Sequence, residues 1–187
     1  MRKNPKLLAR LKPKTIGEGK FIRFLKVGSW EFVQRSNCQG IVIIIAMTSD
    51  GKVILTEQFR PPVMKKVIEF PAGLVSDVGP NGPRKNESIF TAAKREFFEE
   101  TGYCAGKMTR IMDGPVSSGL TSDMVTIVMA SNLEKTGEGG GDENEQIKVR
   151  EVPLVKVDSW LKQKQKKGFL VDPKIYAGLY WLKKYNG

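Results

Sequence analysis

The sequence contains no histidine and only two cysteines, Cys38 and Cys104. Without histidine, the chain can form neither a Ser-His-Asp nor a Cys-His catalytic group, and no zinc or iron site with histidine ligands. The two cysteines form no C-x-x-C pair and provide no disulfide framework, so a reducing, cytoplasmic setting is the expectation. Acid–base chemistry near neutral pH therefore falls to carboxylates, lysine, tyrosine or metal-bound water.

Long apolar runs are also missing. No stretch approaches the roughly 18 residues needed to span a bilayer, so we expect no membrane partner. The basic first residues lack the apolar core and cleavage site of a secretory signal, and their two prolines argue against an amphipathic transit peptide. A chain of 187 residues that is 40% hydrophobic suits one domain with a small N-terminal arm.

Acidic residues are outnumbered, and the formal net charge is +11. Such a surplus favours polyanionic partners such as nucleotides, nucleic acid or acidic membranes. Basic residues cluster in residues 1–26 and again in 162–167. The charge is compatible with a nucleic-acid partner, but no RNA- or DNA-binding motif accompanies it. Solvated lysines are the favoured interpretation.

The acids that are present concentrate in one short segment. A helix over residues 88–101 would place Glu96 and Glu100 on one face, with Glu99 beside them. The opposite, core-facing side would carry the apolar residues Ile89, Ala93 and Phe97. Three carboxylates on one face repel each other unless a cation such as Mg²⁺, which prefers oxygen ligands, lies among them. The alternative is a surface helix with solvated acids.

The segment around this helix resembles a known motif. Glu87, seven further residues and then R-E-F-F-E-E-T-G-Y at 95–103 resemble the Nudix box E-x7-R-E-U-x-E-E-x-G-U, where U is a bulky apolar residue. Gly73 resembles the glycine that opens the box, although thirteen residues rather than five separate it from Glu87. The extra residues, around G-P-N-G-P-R-K-N, predict a lengthened loop.

Further segments resemble the ADP-ribose (ADP-sugar) pyrophosphatase branch of the Nudix family. They are Q-F-R-P-P at 58–62, E-F-P-A-G-L at 69–74, S-G-L-T at 118–121 and D-P-K-I-Y at 172–176. The resemblance implies an α/β fold, an α/β/α sandwich with a mixed sheet and an N-terminal β-hairpin arm. It also implies hydrolysis of ADP-ribose or a related nucleoside diphosphate sugar to a nucleoside monophosphate and a sugar phosphate, with Mg²⁺, or Mn²⁺ in its place.

The same resemblance implies roles for the residues that would carry the reaction. The metal ligands would be the backbone carbonyl of Ala72 and the carboxylates of Glu96, Glu99 and Glu100, with Glu87 as a supporting acid or a further ligand. Arg95 would orient the neighbouring carboxylates. The general base would be Glu143, with Glu145 as the second candidate, and the alternative for both is a solvated acidic loop.

Substrate contacts are implied in two regions. Arg60 and Glu69 match positions that contact the phosphates and the terminal ribose or base, while a sheet-end salt bridge is the alternative for Arg60. Gly119 and Leu120 match a substrate-binding loop.

The resemblance also implies a role for the N-terminal segment. Trp30 and Phe21 match two rings that stack on adenine, and a place in the core is the alternative for both. Arg35 would reach a nucleotide across a homodimer. Residues 1–36 would then be an arm and hairpin for dimerisation, and 37–187 the Nudix domain.

Periodicity predicts the remaining elements. We expect a hairpin from residues 20–27 and 30–35, and a second hairpin from 41–47, a run suited to burial on both faces, and 53–60. Further strands are predicted at 66–70, 108–112, 125–130 and 147–152, and helices at 157–166 and 173–185, with Asp172 as the N-cap of the last. Residues 1–18 are predicted to be a mobile or docking arm, and residues 133–144 a mobile loop.

Two rival functions share this pattern. One is a Nudix hydrolase of dinucleoside polyphosphates or RNA 5′ ends. The other is a non-catalytic nucleotide- or RNA-binding Nudix module, which the complete set of box carboxylates disfavours.

Overall fold

The computed structural model describes residues 11–79, 82–84, 86–141 and 146–185. The strands are β1 (Lys14–Glu18), β2 (Ile22–Val27), β3 (Trp30–Arg35), β4 (Gly40–Ala46), β5 (Lys52–Arg60), β6 (Lys65–Glu69), β7 (Ala72–Val75), β8 (Val78–Gly79), β9 (Gly82–Pro83), β10 (Tyr103–Pro115), β11 (Met124–Lys135), β12 (Lys148–Pro153) and β13 (Leu170–Val171). The helices are α1 (Ile89–Thr101), α2 (Val157–Lys166) and α3 (Lys174–Tyr185). In the part of the chain that the structure describes, no helix has the length and apolar character needed to cross a membrane.

Two four-stranded sheets form the body of the protein. The first has the order β10-β11-β4-β7, with β11 and β4 parallel. The second has the order β12-β5-β6-β13, with β6 and β13 parallel. The other pairs in both sheets are antiparallel. Both sheets are therefore mixed, as expected.

The central strand β4 separates two hydrophobic cores. Val42, Ile44 and Ala46 pack in a cluster with α1, whereas Ile43 and Ile45 pack in a cluster with α2 and α3. All five side chains are fully or almost fully buried. The apolar run predicted a strand buried on both faces, and the structure confirms it. Helices on both sides of the sheets give the predicted α/β/α layering.

One strand pairing was predicted wrongly. The second hairpin does not form, because β4 and β5 share only the bridge between Met47 and Val53 and then enter different sheets. β11 and β7 occupy the two edges of β4, so neither edge remains for β5. β5 pairs instead with β12 and β6.

The N-terminal segment forms its own three-stranded sheet. The predicted hairpin is present as β2 and β3, and β1 adds a third strand to β2. The prediction for residues 1–18 left a mobile and a docking arm open, and Lys14–Glu18 dock on β2, where strand pairing satisfies the backbone. Residues 1–10 lie outside the described part. The sheet joins the rest of the chain at β3, where Val33 N donates to Leu120 O at 2.8 Å.

Candidate active site

Helix α1 has the ends that the sequence predicts. Ser88 accepts a hydrogen bond from Thr91 N at 3.1 Å, and Gly102 ends the helix in the left-handed conformation with φ 72°. Ala93 and Phe97 are fully buried on the core side. Their burial fixes the rotation of the helix, so its acidic face lies against β7.

Two box carboxylates contact the backbone of β7. Leu74 N donates to Glu96 Oε1 at 3.2 Å, and Ala72 N donates to Glu100 Oε2 at 3.3 Å. A Cβ at Gly73 would lie 1.9 Å from Glu96 Cδ, so only glycine lets the strand and the helix approach this closely. The structure thus brings together three of the predicted metal-binding residues, Ala72, Glu96 and Glu100.

Arg95 holds the acids of the box in place. Its guanidinium lies 2.9 Å from Glu87 Oε1, 2.9 Å from Glu96 Oε1 and 3.1 Å from Glu99 Oε2. It also donates to Leu74 O at 3.2 Å. These contacts fit the predicted orienting role, because one planar cation fixes three carboxylates against β7.

Glu87 lies on the far side of Arg95. Besides that ion pair it accepts a hydrogen bond from Ser76 N at 3.1 Å. Burial alone would raise the pKa of Glu87, but the hydrogen bonds from Arg95 and Ser76 N outweigh it and lower the pKa. A carboxylate that is ionised and already bonded to two protein donors suits the supporting role.

Glu96 is in a different electrostatic position. Its burial raises its pKa to about 7, even though the charge and hydrogen bond of Arg95 act in the opposite direction. Glu99 and Asp77, both acidic neighbours, raise the pKa further. The negative charge on Glu96 is therefore poorly compensated by the protein, and a nearby cation would stabilise it.

The predicted metal ligands suit a hard divalent cation. Glu96, Glu99, Glu100 and the Ala72 carbonyl offer only oxygen ligands, which Mg²⁺ and Mn²⁺ prefer. Within the described ranges, no three acidic or cysteine side chains converge on one point as a finished ion cage. Arg95 and the Ala72 N–H engage the carboxylates instead, so a cation would compete with these donors.

The glycine-rich segment after β11 is bonded to the end of α1. Gly140 N donates to Glu100 O at 2.9 Å, and Gly141 N donates to Glu99 O at 3.0 Å. A Cβ at Gly139 would lie 2.5 Å from the carbonyl carbon of Thr101. The sequence analysis predicted a mobile loop here. The prediction is wrong for Leu133–Lys135, which belong to β11, whereas residues 136–141 form a loop whose backbone is bonded to the end of α1.

The two candidate bases, Glu143 and Glu145, lie outside the described residues. Their flanks are described. Gly141 is bonded to α1, and Ile147 N donates to Gly140 O at 3.1 Å. Both ends of the acidic segment are therefore attached next to Glu99 and Glu100.

Arg60 and Glu69 form an ion pair between β5 and β6. Arg60 Nε lies 2.7 Å from Glu69 Oε2. Glu69 is three residues before Ala72, where the chain crosses from the second sheet to the first. The pair therefore lies next to the strand that contacts the box carboxylates.

The predicted stacking residues lie on the N-terminal sheet. Phe21 and Trp30 are 52% and 56% exposed, so neither ring belongs to the core. Arg35 lies within its own chain 3.6 Å from Asp123. Leu120 is exposed.

Space is open around Gly119, where an added Cβ would meet nothing within 4 Å. Gly119 and Leu120 lie in the loop that is hydrogen-bonded to β3. These loop residues and the hairpin thus share one side of the molecule.

The structure adds residues that the sequence analysis did not select. Asp77, in the lengthened loop, lies 3.5 Å from Arg95 and 2.6 Å from Arg84. Asp172 and Lys174 line a small cleft together with Glu69. The sequence indicated them only as part of a segment that resembles the ADP-ribose pyrophosphatase branch, with Asp172 as a helix N-cap. The D-P-K motif is the sequence signal for this cleft. Helix capping alone already explains an aspartate at position 172, so the motif did not indicate a binding role.

Comparisons with known proteins agree with this arrangement. A family model described as NUDIX domain matches residues 39–175. The chain is 36% identical over 116 residues to ADP-ribose pyrophosphatase from Bacillus subtilis, a match that covers 62% of this chain and 58% of that relative's length. It is 31% identical over 187 residues to ADP-sugar pyrophosphatase from Mus musculus, covering 87% and 81%.

A third relative is GDP-mannose pyrophosphatase from Pectobacterium atrosepticum, 33% identical over 123 residues, covering 62% of this chain and 59% of the relative. Among solved structures, the crystal structure of an ADP compounds hydrolase superimposes with a TM-score of 0.68 at 20% identity, covering 94% and 91% of the two chains. At this identity the structural likeness shows a shared fold.

Proposed function

This chain belongs to the NUDIX domain family, and we propose that it hydrolyses the pyrophosphate bond of ADP-ribose or a related nucleoside diphosphate sugar. The products would be a nucleoside monophosphate and a sugar phosphate. The observation that carries the proposal is the contact of Glu96 and Glu100 with the backbone of β7. The three relatives named as ADP-ribose, ADP-sugar and GDP-mannose pyrophosphatases support this substrate class.

Mg²⁺, or Mn²⁺ in its place, is the proposed cofactor. Glu96, Glu99, Glu100 and the Ala72 carbonyl would hold it, while Glu87 would support them through Arg95. A divalent cation bound there neutralises the charge of the diphosphate and lowers the pKa of a water molecule. Arg95 acts as a positioning residue, since its contacts are with carboxylates of its own chain.

Glu143 is the proposed general base, with Glu145 as the second candidate. Glu143 follows Gly141 by two residues, and Glu145 precedes Ile147 by two. The flanking residues support this proposal, because Gly141 N donates to Glu99 O and Ile147 N donates to Gly140 O. The base would take a proton from water as the new P–O bond forms and the bond to the bridging oxygen breaks.

We call the surface formed by Ala72, Glu96, Glu99 and Glu100 the metal face. The substrate would extend from this face in two directions. Arg60 and Glu69 are proposed to contact the phosphates and the terminal sugar, and Gly119 and Leu120 to line the loop side. We further propose that Trp30 stacks on the nucleobase, for which its exposed ring is available.

A homodimer would complete the site through the N-terminal sheet. Exposed apolar side chains on this sheet support an interface, namely Ile16, Phe21, Ile22, Phe24 and Trp30. Within such a dimer Arg35 would reach the nucleotide of the partner subunit, and Phe21 is proposed as the second ring that stacks on adenine. A cytoplasmic setting is proposed for the assembly, since Cys38 and Cys104 are both free thiols.

The test is a substrate panel with Mg²⁺ for the wild type, Glu100→Gln and the control Glu134→Gln, which changes an exposed glutamate on β11. The panel contains ADP-ribose, ADP-glucose, GDP-mannose, dinucleoside polyphosphates and triphosphate RNA. We expect AMP and ribose 5-phosphate from ADP-ribose, and a loss of about 100-fold or more in kcat for Glu100→Gln only.

Three results would contradict the proposal. Tight nucleotide binding without turnover of any compound would indicate a binding module. Turnover confined to polyphosphates or RNA would indicate a different substrate class. Full activity of Glu100→Gln would overturn the metal assignment.

A further inference from the structure

A small cleft adjoins the metal face on the side of α3. Its volume is about 30 Å³. We call it the α3 cleft, and it is lined by Ile43, Glu69, Phe70, Ala72, Asp172 and Lys174. Ala72 belongs to both places, because its N–H also bonds Glu100. A group that extends from a diphosphate held at Ala72 therefore has the α3 cleft as its direct neighbour.

Two ion pairs fix the charged lining of the cleft. Lys174 Nζ lies 2.6 Å from Asp172 Oδ2, and Glu69 is held by Arg60 at 2.7 Å. The Asp172 side chain is only 14% exposed, and its N–H donates to Ile68 O at 3.0 Å. Asp172 is thus anchored to β6, whereas the Lys174 side chain reaches solvent with 41% exposure.

We infer that Asp172 and Lys174 recognise hydroxyl groups of the sugar that follows the diphosphate. This inference rests on the hydrolase function proposed above. A hydroxyl both donates and accepts hydrogen bonds, a carboxylate only accepts, and an ammonium only donates. The adjacent Asp172 carboxylate and Lys174 ammonium therefore match neighbouring sugar hydroxyls.

Other parts of the substrate fit the α3 cleft less well. Inside the cleft Lys174 is already paired with Asp172, and Glu69 is paired with Arg60, so a phosphate would gain less from this lining than from a bound divalent cation. A purine ring is far larger than a space of about 30 Å³, which has room for one or two groups of the size of water. The sugar hydroxyls are the remaining groups of suitable size and polarity.

The variants must change recognition without unfolding α3. Asp172 also caps the helix, since Lys174 N donates to Asp172 Oδ1 at 2.8 Å. Asp172→Asn keeps an oxygen for this cap and removes the charge. Lys174→Met keeps the length of the side chain and removes its donors. The control is Lys183→Met on the same helix, where the ammonium lies 3.5 Å from the exposed Asp158.

Two compounds separate the sugar from the rest of the substrate. ADP-ribose carries the hydroxyls, and the β-methyl ester of ADP has the same nucleoside and diphosphate with no second sugar. The KM for ADP-ribose and the inhibition constant of the ester are measured for each variant. We expect KM to rise about 10-fold in Asp172→Asn and in Lys174→Met, while kcat and the inhibition constant of the ester stay within about 2-fold of wild type. In the control Lys183→Met all three constants should stay within about 2-fold of wild type.

These measurements separate the role of Asp172 and Lys174 from the hydrolase function itself. An unchanged KM, or equal losses for ADP-ribose and its sugar-free ester, would overturn the role of Asp172 and Lys174. A wild type that hydrolyses no nucleoside diphosphate sugar would overturn the proposed function itself. If GDP-mannose is the preferred substrate, GDP-mannose and the methyl ester of GDP serve as the pair.

Discussion

Glu57 offers the sharpest test of the forces that hold the second sheet to α2. Its side chain is 4% exposed on β5, and its Oε2 atom accepts hydrogen bonds from Arg150 Nη2 at 2.7 Å and Lys164 Nζ at 2.8 Å. Lys66 lies 3.6 Å from its other oxygen. Burial alone would raise the pKa of Glu57, but Lys164 and Arg150 lower it from 4.5 to about 2. We predict that Glu57→Gln destabilises the fold.

Two routes give the same size of effect. A pKa lowered from 4.5 to about 2 corresponds to about 3 kcal/mol of stability at neutral pH. Removing one partner of a buried ion pair costs about 3–5 kcal/mol. The lower end applies here, because Arg150 is partly exposed and can turn its charge toward solvent. We therefore expect Glu57→Gln to lower the free energy of unfolding by about 3 kcal/mol at pH 7.

The sign of the pH dependence follows from the direction of the shift. Folding lowers the pKa of Glu57, so the unfolded chain binds more protons at this residue than the folded chain as the pH falls. The stabilisation is complete above pH 4.5 and is lost as the pH falls toward 2. The difference in the free energy of unfolding between wild type and Glu57→Gln, called the gap below, should therefore narrow over this interval. The other carboxylates titrate alike in both proteins.

Urea unfolding at pH 7 and at steps from pH 4.5 to 3 measures this gap. Asp158→Asn is the control, because its partner Lys183 is 3.5 Å away and both side chains are more than half exposed. A gap below about 1 kcal/mol at pH 7, or one that stays constant as the pH falls, would refute the reasoning. Activity should change little, since the charged partners of Glu57 are Arg150, Lys164 and Lys66, which have no proposed role at the active site.

Two glycines provide further predictions. Gly73→Ala places a Cβ 1.9 Å from Glu96 Cδ, so kcat/KM should fall about 100-fold or more in steady-state kinetics, whereas Gly114→Ala, which meets nothing within 4 Å, should stay near wild type. Gly139→Ala combines φ +72° with a Cβ 2.5 Å from the backbone of α1, so the midpoint temperature of thermal unfolding and the activity should both fall. Gly51→Ala has a similar φ of +78° with open space, and a loss as large as that of Gly139→Ala would show that backbone strain alone is responsible.

The sequence predicted α1 and its acidic face well because the relevant information is local. The predicted helix over residues 88–101 agrees with the observed Ile89–Thr101, and the spacing of Ala93 and Phe97 fixes the buried side. Side chains three or four residues apart share a helix face whatever the rest of the fold does. The contacts of Glu96 with β7 then follow from packing that face against its neighbour.

Strand partners could not be derived in the same way. The run at β4 correctly indicated burial on both faces, but alternation does not specify which strands lie beside it. A short turn between β4 and β5 made a hairpin the simplest expectation, while the long-range pairs with β11 and β7 decided the sheet. The α3 cleft was missed for the same reason, since Asp172 meets Glu69 only after β13 has paired with β6.

The end of α1 joins two parts of the site that the sequence presents as separate segments. The carboxylates of Glu99 and Glu100 contact Arg95 and Ala72 N, and their carbonyls accept hydrogen bonds from Gly141 and Gly140. A Cβ at Gly139 would collide with this last turn of the helix, so the approach depends on glycine. The proposed metal ligands and the start of the acidic segment are therefore bonded to the same turn. Any displacement of the last turn of α1 would move both, which makes that turn the structural link between the proposed metal site and the proposed base.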